Sequence, residues 1–367
     1  MPTPPFPPVL DLHADLVRFP SLSHHEAEVA DFVEATARAV PGLAVGRHDD
    51  NVWASLGDGD DLLLLCSHLD VVPPSADHVA PFEPRLVDGK VYGRGAVDAK
   101  ASGAAMLAAL AQLAGAEWTP ENGRLVVALT ACEETGRGYN GMEAMRAEVF
   151  GRHLPNVSAA LVGEPTELRP CLAQKGLLIL TATAHGRTAH AARAHLGDNA
   201  ITRAARDLVA LDSLTFDRAD PLLGRPTATA TVVEGGAAKN VVPDRCRFTL
   251  DVRSTSAYTH AELTEVVREH LESEVEVYSD RLVPCATPPE SRITQATMAA
   301  LGGAGRDAEP FGSPTASDWI FLHDVPAVKI GPGRSELSHT AEEHVEAAEV
   351  EAAVDVYAAI AQEYFRR

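Results

Sequence analysis

The chain has 367 residues, more than one compact core usually serves, so two domains are expected. Hydrophobic residues make up 46% and charged residues 23%, as in an ordinary soluble globular protein. The net charge of −21 opposes binding to phosphate backbones and anionic membranes, and no apolar stretch reaches the roughly 18–20 residues of a membrane span, so neither nucleic acid nor membrane is an expected partner.

The start, Met1 to Val9, has no basic residue and no apolar core, so it does not read as a secretory signal, and its prolines predict an extended lead-in. Glu26 to Val40 reads as an amphipathic helix after the Ser21-Leu-Ser23 turn. Leu62 to Cys66, Leu125 to Leu129, Ala159 to Val162 and Ala327 to Ile330 are short apolar runs bounded by turn residues, as buried strands are. Helical stretches lie between them, notably Ser102 to Leu113. A last helix from about Ala347 sets Val350, Val354, Tyr357 and Ala361 on one face.

From Gly176 to about Pro284 the pattern changes. Leu178 to Thr183 and Arg247 to Arg253 alternate, and helices are predicted at Ala200 to Leu211 and Ala261 to Glu272. The expectation is an α/β catalytic domain with a mainly parallel sheet over 1–175 and 285–367, interrupted by an inserted α+β domain over 176–284. The five cysteines (Cys66, Cys132, Cys171, Cys246 and Cys285) are odd in number and never two residues apart. That argues against a disulfide framework or a thiolate zinc site and points to the cytoplasm.

The chemistry is carried by His68, Asp98, Glu134, Glu164 and His339, each read as lying at or just past the end of an apolar run. Two imidazoles and three carboxylates are what a pair of zinc-like ions needs, one carboxylate bridging. Glu133, beside Glu134, is free to act as a base. In open α/β sheets, sites form at the carboxyl ends of strands, where His68 falls. Asp70 is placed to accept the other ring N–H of His68 or of a neighbouring histidine and fix the tautomer.

Each residue also has a plainer reading. His68 alone could be a loop histidine. Gly93-Arg-Gly95-Ala-Val-Asp98 superficially matches a dinucleotide fingerprint, but Asp98 replaces the third glycine and no clear strand feeds it. Asp98 could be an N-cap, Glu133-Glu134 a solvated pair, and Glu342, Glu343 and His344 around His339 surface charges. Adjacent acids leaving a buried strand repel each other, which a cation would relieve. Pro165 turns the chain after Glu164.

His68-Leu-Asp70, Gly93-Arg-Gly95-Ala-Val-Asp98-Ala-Lys100, Glu133-Glu134, Gly163-Glu164-Pro165-Thr166 and Ser338-His339-Thr340 together resemble the dinuclear zinc aminoacylase and carboxypeptidase family, which includes acetylornithine deacetylase and succinyl-diaminopimelate desuccinylase. The resemblance covers nearly the whole chain, in order. It implies a zinc-peptidase-like catalytic domain and a lid domain through which the chain forms a homodimer. It implies two divalent ions, Zn²⁺ or alternatively Co²⁺, bridged by Asp98, with Glu164 and His68 on one and Glu134 and His339 on the other. Glu133 would be the general base, Asp70 would support His68, and His190 in Gly186-Arg-Thr-Ala-His190 would stabilise the oxyanion at a neighbouring subunit's site.

Asn240 in Asn240-Val-Val-Pro243 and Arg253 in Asp251-Val-Arg253 resemble residues that hold the substrate carboxylate. Lys175-Gly176 looks more like the deacetylases, whereas Thr315-Ala-Ser-Asp318 looks closer to the desuccinylases, so Lys175 and Asp318 are further substrate-binding candidates. Ala101 stands where the family often has Gly, and Cys132 where an acidic or small residue is frequent.

The implied reaction is hydrolysis of a small-molecule N-acyl amino acid, with N-acetylornithine (or N-acetyl-lysine) first. Succinyl-diaminopimelate is the alternative, and a di- or tripeptide the third choice. A non-catalytic metal-binding homologue would need a lost ligand or base, and all six residues are present. A serine hydrolase would need a Gly-x-Ser-x-Gly elbow, which the chain lacks.

Overall fold

The computed structural model describes residues 6–135 and 138–366. Part of the proline-rich lead-in (residues 1–5) and Gly136 of the Glu133-Glu134 motif lie outside the described residues. The chain divides into two compact units. One runs to Leu172 and resumes with Thr287–Phe311 and from Ser317 onward; the other comprises Ala173–Ala286 and Gly312–Ala316. The second unit therefore takes in 312–316, which the sequence division put with the last catalytic part.

The first unit is built on a twisted sheet in the order Ala44–His48, Asn51–Leu56, Gly123–Thr130, Asp61–His68, Val157–Val162, Ala327–Lys329. Its four central strands run parallel: His68 pairs with Thr130, Cys66 with Val162, and Lys329 with Val162. Their residues are buried on both faces, so they read as continuous apolar runs in the sequence. This puts the carboxyl ends of the four strands along one edge of the sheet.

Five helices (Val9–Arg18, Ala27–Arg38, Lys100–Gly115, Arg292–Gly303 and Ala347–Phe365) contribute to one core with the sheet. Lys100–Gly115 is apolar nearly all round and buried along most of its length, its alanines letting neighbours come close. Val350, Val354, Tyr357 and Ala361 of the last helix are all buried, on the face the 3.6-residue period gave.

The second unit is an antiparallel sheet in the order Thr227–Gly235, Arg245–Ser254, Gly176–His185, Glu274–Leu282. Alternate residues Cys246, Phe248, Leu250 and Val252 are buried while their neighbours along the strand stay more open. Helices Ala200–Ala210 and His260–His270 supply the other side of that core. Asn199 caps the first helix, and Thr259 with Glu262 forms a capping box on the second.

Candidate metal centre

The acids and imidazoles reach the site by different routes. His68 is the last residue of its strand and is 2% exposed. Glu133 and Glu134 leave the strand ending at Thr130, and Glu164 follows the one ending at Val162. His339 departs from the expectation: it is not at a strand end. The chain passes from Lys329 through Gly331-Pro-Gly333 and a short 3₁₀ turn, Ser335–Leu337, before His339 presents its ring from left-handed backbone, φ 65°.

Asp98 is fed by a three-residue strand, Lys90–Tyr92, which pairs antiparallel with Arg85–Val87 and His344–Glu346 in a separate small sheet. A parallel βαβ phosphate loop is thus ruled out. Asp98 is not an N-cap either, because the helix begins at Lys100 and Ala99 precedes it. The carboxylate is left free to face the imidazoles. Ala101 is buried in a small cluster with Val91, Val97, Val345 and Val350, which its methyl helps to fill.

The distances bring the acids and imidazoles together. Asp98 Oδ1 lies 3.2 Å from His68 Nε2, and Asp98 Oδ2 lies 3.5 Å from His339 Nε2. One carboxylate therefore shows one oxygen to each imidazole, the disposition of a bridging ligand. His339 Nε2 is 2.9 Å from Glu134 Oε1, and His68 Nε2 is 3.9 Å from Glu164 Oε1. The donor atoms of His68, Asp98 and Glu134 lie within 4.8 Å of one another.

The nearest partner of His68 Nδ1 is the backbone carbonyl of Asp70 at 2.9 Å, with the Asp70 carboxylate at 3.4 Å. Either acceptor fixes the proton on Nδ1 and leaves Nε2 for a metal. The Asp70 carboxylate has a second task. Its two oxygens receive the backbone N–H groups of Glu133 and Glu134, each at 3.0 Å.

The electrostatics carry the strain of crowded carboxylates. Burial pushes Glu133 well up, and Glu164, Asp318 and Glu134 add to it against the pull of His68. Burial and then Asp98 push Glu164 up to about 8. Burial opposes charging of His68, yet Asp70, Asp98 and Glu133 hold it well above the usual histidine range. Burial also raises Asp98, but His68 and His339 keep it below the ordinary carboxylate range. So much negative charge facing two imidazoles would be stabilised by divalent cations, and the oxygen and imidazole donors are of the kind that hold them.

Several residues the sequence did not single out support this arrangement. Arg94 and Glu343 form a buried ion pair. Glu343 Oε1 receives the N–H groups of Val97 and Asp98, and Arg94 donates to the His339 carbonyl at 3.3 Å. Glu343, readable as a surface charge, is 1% exposed. Asn51 and Glu26 bond the turn that carries Glu133. Neither had a sequence signal, since each lies among other polar residues.

Asp318, a substrate-contact candidate, is 4% exposed, and its oxygens accept from Thr130 Oγ1 at 2.9 Å and Asn140 Nδ2 at 2.8 Å. Both bonds anchor it behind the strand end, and burial lifts it to about 6.

His190, Lys175, Asn240 and Arg253 belong to the second unit. His190 is exposed, and its Nδ1 accepts from the Ala192 N–H at 3.1 Å, so the neutral ring carries its proton on Nε2. Arg253 forks onto Asp251 at 2.8 and 3.0 Å. Asn240 is exposed and Lys175 is half-buried.

Residues 64–363 match the model of peptidase family M20/M25/M40. The chain is 30% identical over 381 residues to a succinyl-diaminopimelate desuccinylase of Rhodospirillum centenum, with 98% of each chain covered. It is 30% identical over 370 residues to the enzyme of that name from Xanthomonas euvesicatoria, covering 95% of this chain and 96% of the other. Among solved structures, the aminopeptidase PepT of Bacillus cereus superposes with a TM-score of 0.80 at 21% identity over 98% of both chains. An M20 metallo-carboxypeptidase of Sulfolobus solfataricus gives 0.73 at 18% identity, covering 98% of this chain and 99% of that one. With the family match spanning most of the chain, this protein belongs to peptidase family M20/M25/M40 and is a metal-dependent hydrolase acting on an amide.

Proposed function

We propose that the chain cleaves the succinyl amide of N-succinyl-diaminopimelate, using two divalent ions, Zn²⁺ first and Co²⁺ as a substitute. The relatives named for that reaction, matched over nearly their whole length, favour it over the N-acetylornithine reading. The observation that carries the chemistry is the Asp98 carboxylate set between His68 and His339, beside the Glu133-Glu134 pair.

When bound, the ions supply Lewis acidity that acidifies water and polarises the acyl carbonyl. His68, Glu164 and Asp98 would hold one ion, and His339, Glu134 and Asp98 the other. Glu133 takes a proton from the attacking water as the new C–O bond forms, then gives it to the amine nitrogen as the C–N bond breaks. His190, with its proton on Nε2, is the candidate donor to the oxyanion. Lys175, Asn240 and Arg253 are candidates for holding the substrate carboxylates.

Homodimerisation through the second unit is part of the proposal. Its edge strand Thr227–Gly235 exposes Val232 and Val233, and the helix Ala200–Ala210 exposes Val209.

The test is an assay of N-succinyl-diaminopimelate, N-acetylornithine, N-acetyl-lysine and a dipeptide with added Zn²⁺ or Co²⁺. The succinyl substrate should give the highest kcat/KM, and a clear preference for N-acetylornithine would overturn the choice. Glu133→Gln should lower kcat by about 10²–10⁴ with metal content unchanged.

A further inference from the structure

The segment Ser21-Leu-Ser-His-His-Glu26 does more than turn into a helix. Ser21 Oγ donates to the Leu69 carbonyl at 2.6 Å, and Ser23 Oγ to Asp70 Oδ2 at 2.7 Å. Leu22 bridges Val71. Glu26, 1% exposed, directly precedes the helix Ala27–Arg38, but its side chain makes no capping bond there. Its Oε1 instead receives the Cys132 N–H at 3.0 Å and lies 3.3 Å from the Cys132 Sγ.

That bond completes a row. Four successive N–H groups turn inward after the strand ending at Thr130, where no ladder partner remains. Asn51 Oδ1 receives that of Ala131 at 2.9 Å, and Glu26 that of Cys132. The two oxygens of Asp70 receive those of Glu133 and Glu134. Within the row Cys132 has φ 58°, a conformation that residues with a Cβ avoid unless their surroundings over-determine it. Cys132 directly precedes Glu133, so its backbone angles aim the chain from which both glutamates project. Asp70 is also tied to His68, whereas among the described residues Glu26 reaches the row without touching any of the five ligand-type residues.

We propose that Glu26 is a positioning residue for the general base, holding the left-handed Cys132 turn so that Glu133 keeps its reacting geometry. The proposal rests on Glu133 being the base. A misplacement of about 1 Å can lower a rate on the order of 10²-fold. Glu26→Ala should therefore reduce kcat by roughly 30- to 100-fold and leave KM within about 3-fold. Glu26→Gln keeps an oxygen acceptor for the N–H and should restore kcat to within about 3-fold of the parent.

Metal per chain, by elemental analysis, should not change in either variant. Amide hydrogen exchange over 131–134 should be slow in the parent and in Glu26→Gln, and roughly tenfold faster in Glu26→Ala. If Glu26→Ala does not fold, Glu26→Asp, one methylene too short, takes its place with the same expected loss. A kcat within about twofold of the parent, a change confined to KM, or a Gln variant as impaired as the Ala variant would overturn the proposal. Glu133→Gln run in parallel separates the two ideas. If that variant keeps turnover, the base assignment fails; if it is inactive while Glu26→Ala is unaffected, only the positioning role fails.

Discussion

The two units differ in how much charge they bury. In the first, His68, Asp70, Arg94, Lys100, Asp318 and Glu343 are all under 5% exposed and are held by other protein atoms. In the second, the ion pairs Arg218–Glu262, Arg268–Glu265 and Arg253–Asp251 lie at the surface. Parallel strands covered on both faces end in loops that still have protein beneath them, so polar groups there must be bonded internally. The antiparallel sheet with one solvated face leaves most of its charges to water, and its buried carboxylates, Asp207 and Asp220, accept backbone N–H groups from Glu272 and Ser273 and from Leu222 and Leu223. Buried charge is costly, so its concentration at one sheet edge of the first unit is where function is expected.

The same substitution in the two units tests this most directly, and the larger effect is expected in the first. Glu343→Gln leaves the Arg94 guanidinium buried without its countercharge. Breaking one side of such a pair costs about 3–5 kcal/mol, which a denaturant titration would read. Because Glu343 also receives the Asp98 N–H, the variant should hold metal more weakly in a chelator competition. A loss below about 1 kcal/mol would put Glu343 with the surface charges and break the contrast.

The same contrast explains what the sequence could say. The central strands were legible because burial on both faces leaves an unbroken apolar run, and the second sheet because one wet face leaves alternation. His68, Glu134 and Glu164 were legible because each follows such a run closely. His339 was legible only through its motif, since a loop and a left-handed backbone bring it in. Glu26, Asn51, Arg94 and Glu343 were not legible as support. Their role depends on contacts between segments far apart in the chain, such as Glu26 with Cys132 and Arg94 with Glu343. The burial of Asp318 was not legible either, because its partners Thr130 and Asn140 come from distant segments.

An intermediate effect is expected at His13, fully buried in the first unit with Nε2 2.9 Å from the Ala96 carbonyl. Burial pulls its pKa down from 6.5 to about 4. The native state therefore stays neutral where the unfolded chain has already taken a proton. Stability from this group is full above about pH 6.5 and falls as pH drops towards 4, by about 3 kcal/mol in all. His13→Gln should flatten that part of the stability–pH curve. An unchanged slope between pH 6.5 and 4 would show that His13 is protonated in the folded state.

The smallest effect belongs to the matching change in the second unit, Glu265→Gln. Glu265 is 63% exposed and pairs with Arg268 at 2.6 Å, three residues along the helix His260–His270. Water competes for both charges, and physiological salt screens what is left. Arg268 also keeps its bond to the Val275 carbonyl at 3.1 Å, so the arginine is not stranded when the carboxylate goes. The loss should be no more than about 0.5 kcal/mol and should shrink further in high salt. A loss above about 1.5 kcal/mol, or one insensitive to salt, would mean that this surface is covered in solution, as an interface between copies of the chain would cover it.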